Sequence, residues 1–168
     1  SARMVSLGEP AHGGHEPLEF RNRLFQFLVE QRGFTAIALE SGFNEARRVN
    51  EFVLGGAGDP QQIARDGLTW EFGAFTENVE LLRWIRQYNA EPGRRRKVTF
   101  YGIDLTGGDG DSAFATARLA LDDALSYLAR VIRESSAQAR AAVEPFLEQF
   151  TLAGYKSLST DEQVRLRA

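Results

Sequence analysis

Three apolar runs in this chain each close on an acidic residue: Met4-Val5-Ser6-Leu7-Gly8-Glu9, Thr35-Ala36-Ile37-Ala38-Leu39-Glu40 and Val98-Thr99-Phe100-Tyr101-Gly102-Ile103-Asp104. Short apolar runs separated by helical patterns read as strands of a parallel sheet joined by right-handed helical crossovers. In such sheets ligands bind outside the carboxyl ends of the strands. Three carboxylates arriving at one edge therefore suit a polar pocket for chemistry better than a structural surface.

The punctuation between the runs supports that order. A strand over about 3–8 leads into a loop containing Pro10, Gly13, Gly14 and Pro17, and a helix follows over about 17–32. Gly33 is placed to end that helix in the left-handed conformation. The run 35–40 is apolar on both faces, as a central parallel strand is. A helix over 43–54 and a short one opened by Asp59-Pro60 come next, then an aromatic loop over 68–75 and a helix over 77–90 capped by Thr76. After the strand at 97–103 the pattern is helical, over 112–133 and 136–153, with a new helix starting at Ser159 or Thr160. The expected fold is α/β: a mostly parallel central sheet with flanking helices, followed by a helical segment. Residues 1–110 form the core that carries the motifs, and 111–168 the helical segment. Three strands make a thin sheet, and Ser1-Ala2-Arg3 runs directly into the first of them, so the chain is expected to be a piece of a larger fold.

Composition removes several classes of function. At 168 residues, with 43% hydrophobic and 26% charged residues, the chain is globular. A net charge of -3 argues against nucleic-acid binding, and the basic run Arg94-Arg95-Arg96-Lys97 reads as a solvated loop. With no cysteine there is neither a disulfide framework nor a thiol nucleophile. No apolar stretch reaches the roughly 18 residues of a membrane span and no signal peptide opens the chain, so a cytoplasmic location is the default.

On a helical wheel of about 100° per residue, Arg21 falls among Leu18, Leu24, Phe25 and Leu28, the stripe that must face the sheet. A guanidinium there is costly unless carboxylates meet it, and Glu9 and Glu40 are the natural partners. The alternative is that Arg21 reaches out to water along its alkyl stem. His12 follows Glu9 by three residues in a loop of small residues. Its imidazole can take a proton near neutral pH with a carboxylate orienting the ring, which suits activation of water; a solvated loop histidine is the alternative. No Gly-x-Ser-x-Gly elbow is present to support a covalent serine hydrolase. His12-x-x-His15 with Glu40 or Asp104 is a weak metal pattern, since zinc sites need three or four ligands of matched geometry. Asp104 either reaches the pocket or caps a turn with Thr106. Trp70, Phe72 and Phe75 are either core or an apolar substrate wall.

At these residues the chain resembles the erythromycin esterase family. The resemblance rests on Gly8-Glu9-Pro10-Ala11-His12-Gly13, Arg21-Asn22-Arg23-Leu24-Phe25, Gly33 to Glu40, Trp84-Ile85-Arg86-x-x-Asn89 and Phe100-Tyr101-Gly102-Ile103-Asp104. It covers about residues 3–110, and the helical tail only in character. Members that inactivate macrolides open the lactone by hydrolysis without a metal, with the histidine of the first motif as general base on water. The resemblance thus implies an ester hydrolase with His12, Glu9, Arg21 and Glu40 as catalytic residues and no cofactor. The expected partner is a small-molecule ester, with Asp104 and Trp70 as candidate contacts from their places at the strand end and in the aromatic loop, and charge and hydropathy speak against nucleic acid and membrane. Two other readings stand beside it: a metal-dependent hydrolase using His12, His15 and Glu40, and a non-catalytic relative that binds a small ligand. The family's site also uses a histidine from the later half of a longer chain, and none follows His15 here.

Overall fold

The computed structural model describes residues 2–8, 12–104, 111–145 and 151–167. The chain divides into two compact units, Ser1–Leu105 and Thr106–Ala168. The first begins with α1 (His15–Arg32), followed by β1 (Ala36–Gly42), α2 (Ala46–Val53), α3 (Pro60–Gly67), a single 3₁₀ turn at Phe72–Ala74, α4 (Thr76–Ala90) and β2 (Thr99–Asp104). The second holds α5 (Asp111–Val131), α6 (Arg133–Val143), α7 (Leu152–Ser157) and α8 (Thr160–Arg167).

β1 and β2 pair in parallel, Ala36 opposite Thr99 through Leu39 opposite Gly102, with an irregularity before Gly42 meets Asp104. Three helices separate the two strands in sequence, as a parallel crossover requires. One face of the pair is covered. Ile37 and Phe100 pack there with Phe25 and Val29 of α1, Val49, Phe52 and Val53 of α2, and Leu81, Leu82 and Ile85 of α4. Gly102 is needed for this approach, because a Cβ on it would lie 2.5 Å from the carbonyl oxygens of Ser41 and Gly42. The other face, with Ala36, Ala38, Glu40, Tyr101 and Ile103, is exposed.

Side-chain amides finish what the short strands leave open. The Phe100 N–H donates to Asn50 Oδ1 of α2 at 2.9 Å. Asn89, 5% exposed at the end of α4, donates to the Val53 and Val98 carbonyls and accepts from the Val98 N–H. Unpaired, these backbone groups would each cost about 1–3 kcal/mol. Helix punctuation follows local chemistry. Asp59 accepts from the N–H groups of Gln61 and Gln62 at 3.0 Å, and Gly33 closes α1 at φ 72°. Ser159 and Glu162 form a reciprocal capping box at the start of α8.

Several expectations change. Residues 3–8 form no strand, and the described sheet has two strands rather than three. Met4, Val5 and Leu7 are 83%, 45% and 47% exposed, and their inner side meets a cavity of about 940 Å³ shared with β1 and α1. Burial that slight does not offset the entropy of ordering a strand. Nor is β1 a central strand buried on both sides, since its apolar residues alternate between the core and an exposed face. α4 begins at Thr76 itself, with no side-chain cap. The first long tail helix breaks at Ile132, and the next ends at Val143. Phe146, Leu147 and Phe150, expected on that helix, lie outside the described residues.

Candidate active site

The loop before α1 and the loop before α4 meet. His12 is exposed, and its ring lies 5.2 Å from that of Phe72, tilted by 45°. Gly13 makes the contact possible. It sits at φ 77°, and a Cβ on it would press 3.0 Å from the Phe75 ring. Phe72 and Phe75 are in turn 5.9 Å apart. The aromatic loop is thus a half-buried wall against which the histidine leans.

Arg21 lies on the inner side of α1, half-buried, as the wheel requires. Its described hydrogen bonds go to amide oxygens: Nε and an NH2 nitrogen to Asn22 Oδ1 at 3.2 and 2.8 Å, and the same NH2 nitrogen to Asn78 Oδ1 at 2.7 Å. Asn22 and Asn78 are 7% and 3% exposed, so both must be satisfied inside the protein. Asn22 does so by donating to the Glu77 carbonyl at 2.7 Å, and Asn78 by donating to the Phe72 carbonyl at 2.8 Å. Arg21 is therefore linked through one amide to the residue that His12 leans on. Glu40 stands exposed at the carboxyl end of β1 and lines the same cavity as Arg21. Glu9 lies outside the described residues.

His15, three residues beyond His12, hydrogen-bonds through Nδ1 to Glu77 and approaches Glu19 at 3.7 Å through Nε2. The bond to Glu77, then that carboxylate's charge, raises the His15 pKa above its ordinary value. The Glu77 pKa is lowered, first by a bond from its own backbone N–H, then by His15 and by the charge of Arg21. His15 is thus engaged with α4 rather than gathered with His12 and Glu40. Among the described residues no group of three His, Asp or Glu side chains is placed to hold a metal ion.

At the far side, Asp104 ends β2 and accepts the Trp70 indole N–H at 3.1 Å. Trp70 is 49% exposed, so of the expected aromatic patch Phe72 packs on the core while Trp70 faces outward. Trp70 and Glu71 both have positive φ, 58° and 60°, unusual for residues with a side chain. Thr69, just before them, is fixed by Ser41 Oγ to its N–H at 3.0 Å and by the Gly42 N–H to its Oγ1 at 3.0 Å. The loop is strapped to the carboxyl ends of both strands.

Asn22, Glu77 and Asn78 were not singled out from the sequence. Asn22 had a readable signal: it shares the wheel face of Leu18, Phe25 and Val29, where an amide needs a buried partner. Glu77 and Asn78 carried none beyond their place at a helix start.

Among the described residues, two parallel strands with helices on one face, a histidine loop, an inward arginine and two acids near the strand ends make an α/β arrangement beside a largely apolar cavity that runs along β1 and α1. The family model for erythromycin esterase matches residues 29–167, so the chain belongs to the erythromycin esterase family. The match includes Glu40, Trp70 and Asp104 and begins after His12 and Arg21. The chain is 34% identical over 108 residues to erythromycin esterase type II of Escherichia coli, which covers 64% of this chain and 25% of that protein. It is 36% identical over 104 residues to erythromycin esterase type I of the same organism, covering 62% and 24%. The chain thus spans about a quarter of the length of these curated relatives. Among solved structures, a Bacillus cereus protein superposes with a TM-score of 0.61 at 29% identity, over 94% of this chain and 36% of its own. A succinoglycan biosynthesis protein superposes with a TM-score of 0.68 at 24% identity, over 96% and 38%, a likeness of fold alone. No helix among the described residues is long and apolar enough to cross a membrane.

Proposed function

We propose that this chain carries one wall of the active site of a metal-independent carboxylic ester hydrolase. The observation that carries the reading is the coupling of His12 to Arg21. The imidazole rests on Phe72, whose carbonyl is held by Asn78, and Asn78 also holds the guanidinium. An imidazole and a guanidinium are thereby connected through one loop, and Arg21, Phe72 and Asn78 line a common cavity. Membership of the erythromycin esterase family supports the same reaction class and suggests esters or macrolactones as substrates.

In this mechanism His12 removes a proton from water as its oxygen attacks the ester carbonyl. The carbonyl π pair moves onto oxygen, and the developing anion is stabilised by Arg21 N–H groups. Collapse expels the alkoxide, which takes the proton from the imidazolium and leaves as the alcohol, with the acid as second product. In this reading Glu9 and Glu40 hold His12 and Arg21, while Trp70 and Asp104 contact substrate at the strand ends. A positioned base contributes about 10²–10⁴-fold. His12→Ala in the full-length protein should therefore lower hydrolysis of macrolides or simple aryl esters by that factor while the fold persists. Turnover within tenfold of wild type would remove His12 from the chemistry.

A further inference from the structure

His15 has no part in the proposed chemistry, yet it ties together two helix starts that lack caps of their own. The residue before α1 is Gly14, which has no side chain to accept from the first-turn N–H groups. α4 likewise has no side-chain cap, with Phe75 in the flanking position. Helix ends in that condition fray unless something else holds them. Here the something is cross-helix: His15 to Glu77, Asn22 to the Glu77 carbonyl, and Arg21 to Asn78. His15 is the contact closest to the loop, at the first residue of α1 and three residues from His12.

We propose that His15 and Glu77 are a positioning pair, holding the His12 loop against the start of α4 so that the imidazole keeps its place on Phe72. The inference rests on the role proposed for His12. The pair has the chemistry for the task. Glu77 is only 13% exposed and is anchored by its own helix, whereas His15 is 67% exposed and is held only if its partner draws it in. Protonated His15 faces Glu77 from α4, and Glu16 and Glu19 from its own helix. Glu19 is shared with Arg23 at 3.1 Å, and Arg21 acts on Glu77. Three carboxylates around one imidazole favour its charged form, the form that makes the clamp an ion pair.

The test uses the full-length protein with His15→Ala, Glu77→Ala and His15→Lys, read by aryl ester kinetics and by amide hydrogen exchange at Leu18, whose N–H holds the loop through the Gly14 carbonyl at 3.4 Å. Both alanine variants should raise that exchange about tenfold. They should lower kcat about tenfold with KM within about twofold, as expected when a catalytic group is misplaced but substrate contacts survive. His15→Lys keeps a cation opposite Glu77 and should restore both readouts to within about twofold. In wild type the protection at Leu18 should fall as pH rises through the His15 pKa, a step absent from the lysine variant. Unchanged exchange in the alanine variants overturns the clamp. So does increased exchange with unaltered kcat, or failure of the lysine to restore. If the full-length protein hydrolyses no ester, the hydrolase reading fails, and exchange with the lysine rescue alone decides whether the clamp exists.

Discussion

Replacing Asn78 by alanine isolates the link between Arg21 and the aromatic loop. The side chain is 3% exposed and makes two bonds, one accepted from the Arg21 guanidinium at 2.7 Å and one donated to the Phe72 carbonyl at 2.8 Å. Bonds to a charged group contribute about 1.5–3 kcal/mol and neutral ones about 0.5–1.5 kcal/mol. Arg21 is half-buried and can recover some hydration, which discounts the first figure. We expect Asn78→Ala to cost about 2–4 kcal/mol, measured from the urea midpoint with an unchanged m value. Asn78→Asp keeps the acceptor for Arg21 but sets a carboxylate oxygen against the Phe72 carbonyl where the donor was, so it should not recover the stability of the wild type. A loss below about 0.5 kcal/mol for Asn78→Ala would refute the view that this amide holds the two loops together.

Gly73 has no room for a methyl group, since its Cβ would fall on the Ala64 carbonyl. Gly73→Ala should cost several kcal/mol, seen as a large drop in thermal midpoint by circular dichroism. Glu71 is exposed with φ 60°, so Glu71→Gly should stabilise by about 0.5–1 kcal/mol, the relief of left-handed strain slightly exceeding the entropy cost; a destabilised variant would argue that Glu71 makes contacts that outweigh the strain. The stability due to the His15–Glu77 pair should be bounded on both sides in pH. The raised His15 pKa gives a contribution fully present below the ordinary value of 6.5 and lost as pH rises through the folded value. The lowered Glu77 pKa gives one present above 4.5 and lost as pH falls through the folded value. The difference between wild type and His15→Ala should thus be greatest between about pH 4.5 and 6.5 and shrink on either side. A difference that does not vary with pH would mean the contact is not ionic.

The parts of this fold written in local patterns were legible. Asp59-Pro60, Gly33 and the alternation of apolar runs placed the helices and the two paired strands, because caps, breakers and burial act within a few residues. Residues 3–8 defeated the same reasoning. An apolar run specifies an extended segment, but pairing depends on an edge elsewhere in the chain, and sequence alone does not say whether that edge is met. At the site, the inward direction of Arg21 followed from the helical period. Its amide partners did not, since Asn78 lies 57 residues away and reaches Arg21 only through the packing of α4 on α1. The outward aspect of Trp70 was hidden for a similar reason: two left-handed residues in succession turn the indole away from the core, and nothing in Trp70-Glu71 announces that conformation.

Thr69 and Trp70 fasten one loop to the tips of two neighbouring strands, like a crossbar between two posts. The indole therefore inherits the stiffness of the hydrogen-bonded ladder behind it instead of the softness of a connecting segment. Exchanging the ring at position 70 for one without an N–H would release the bar from one post, while Thr69 keeps it on the other.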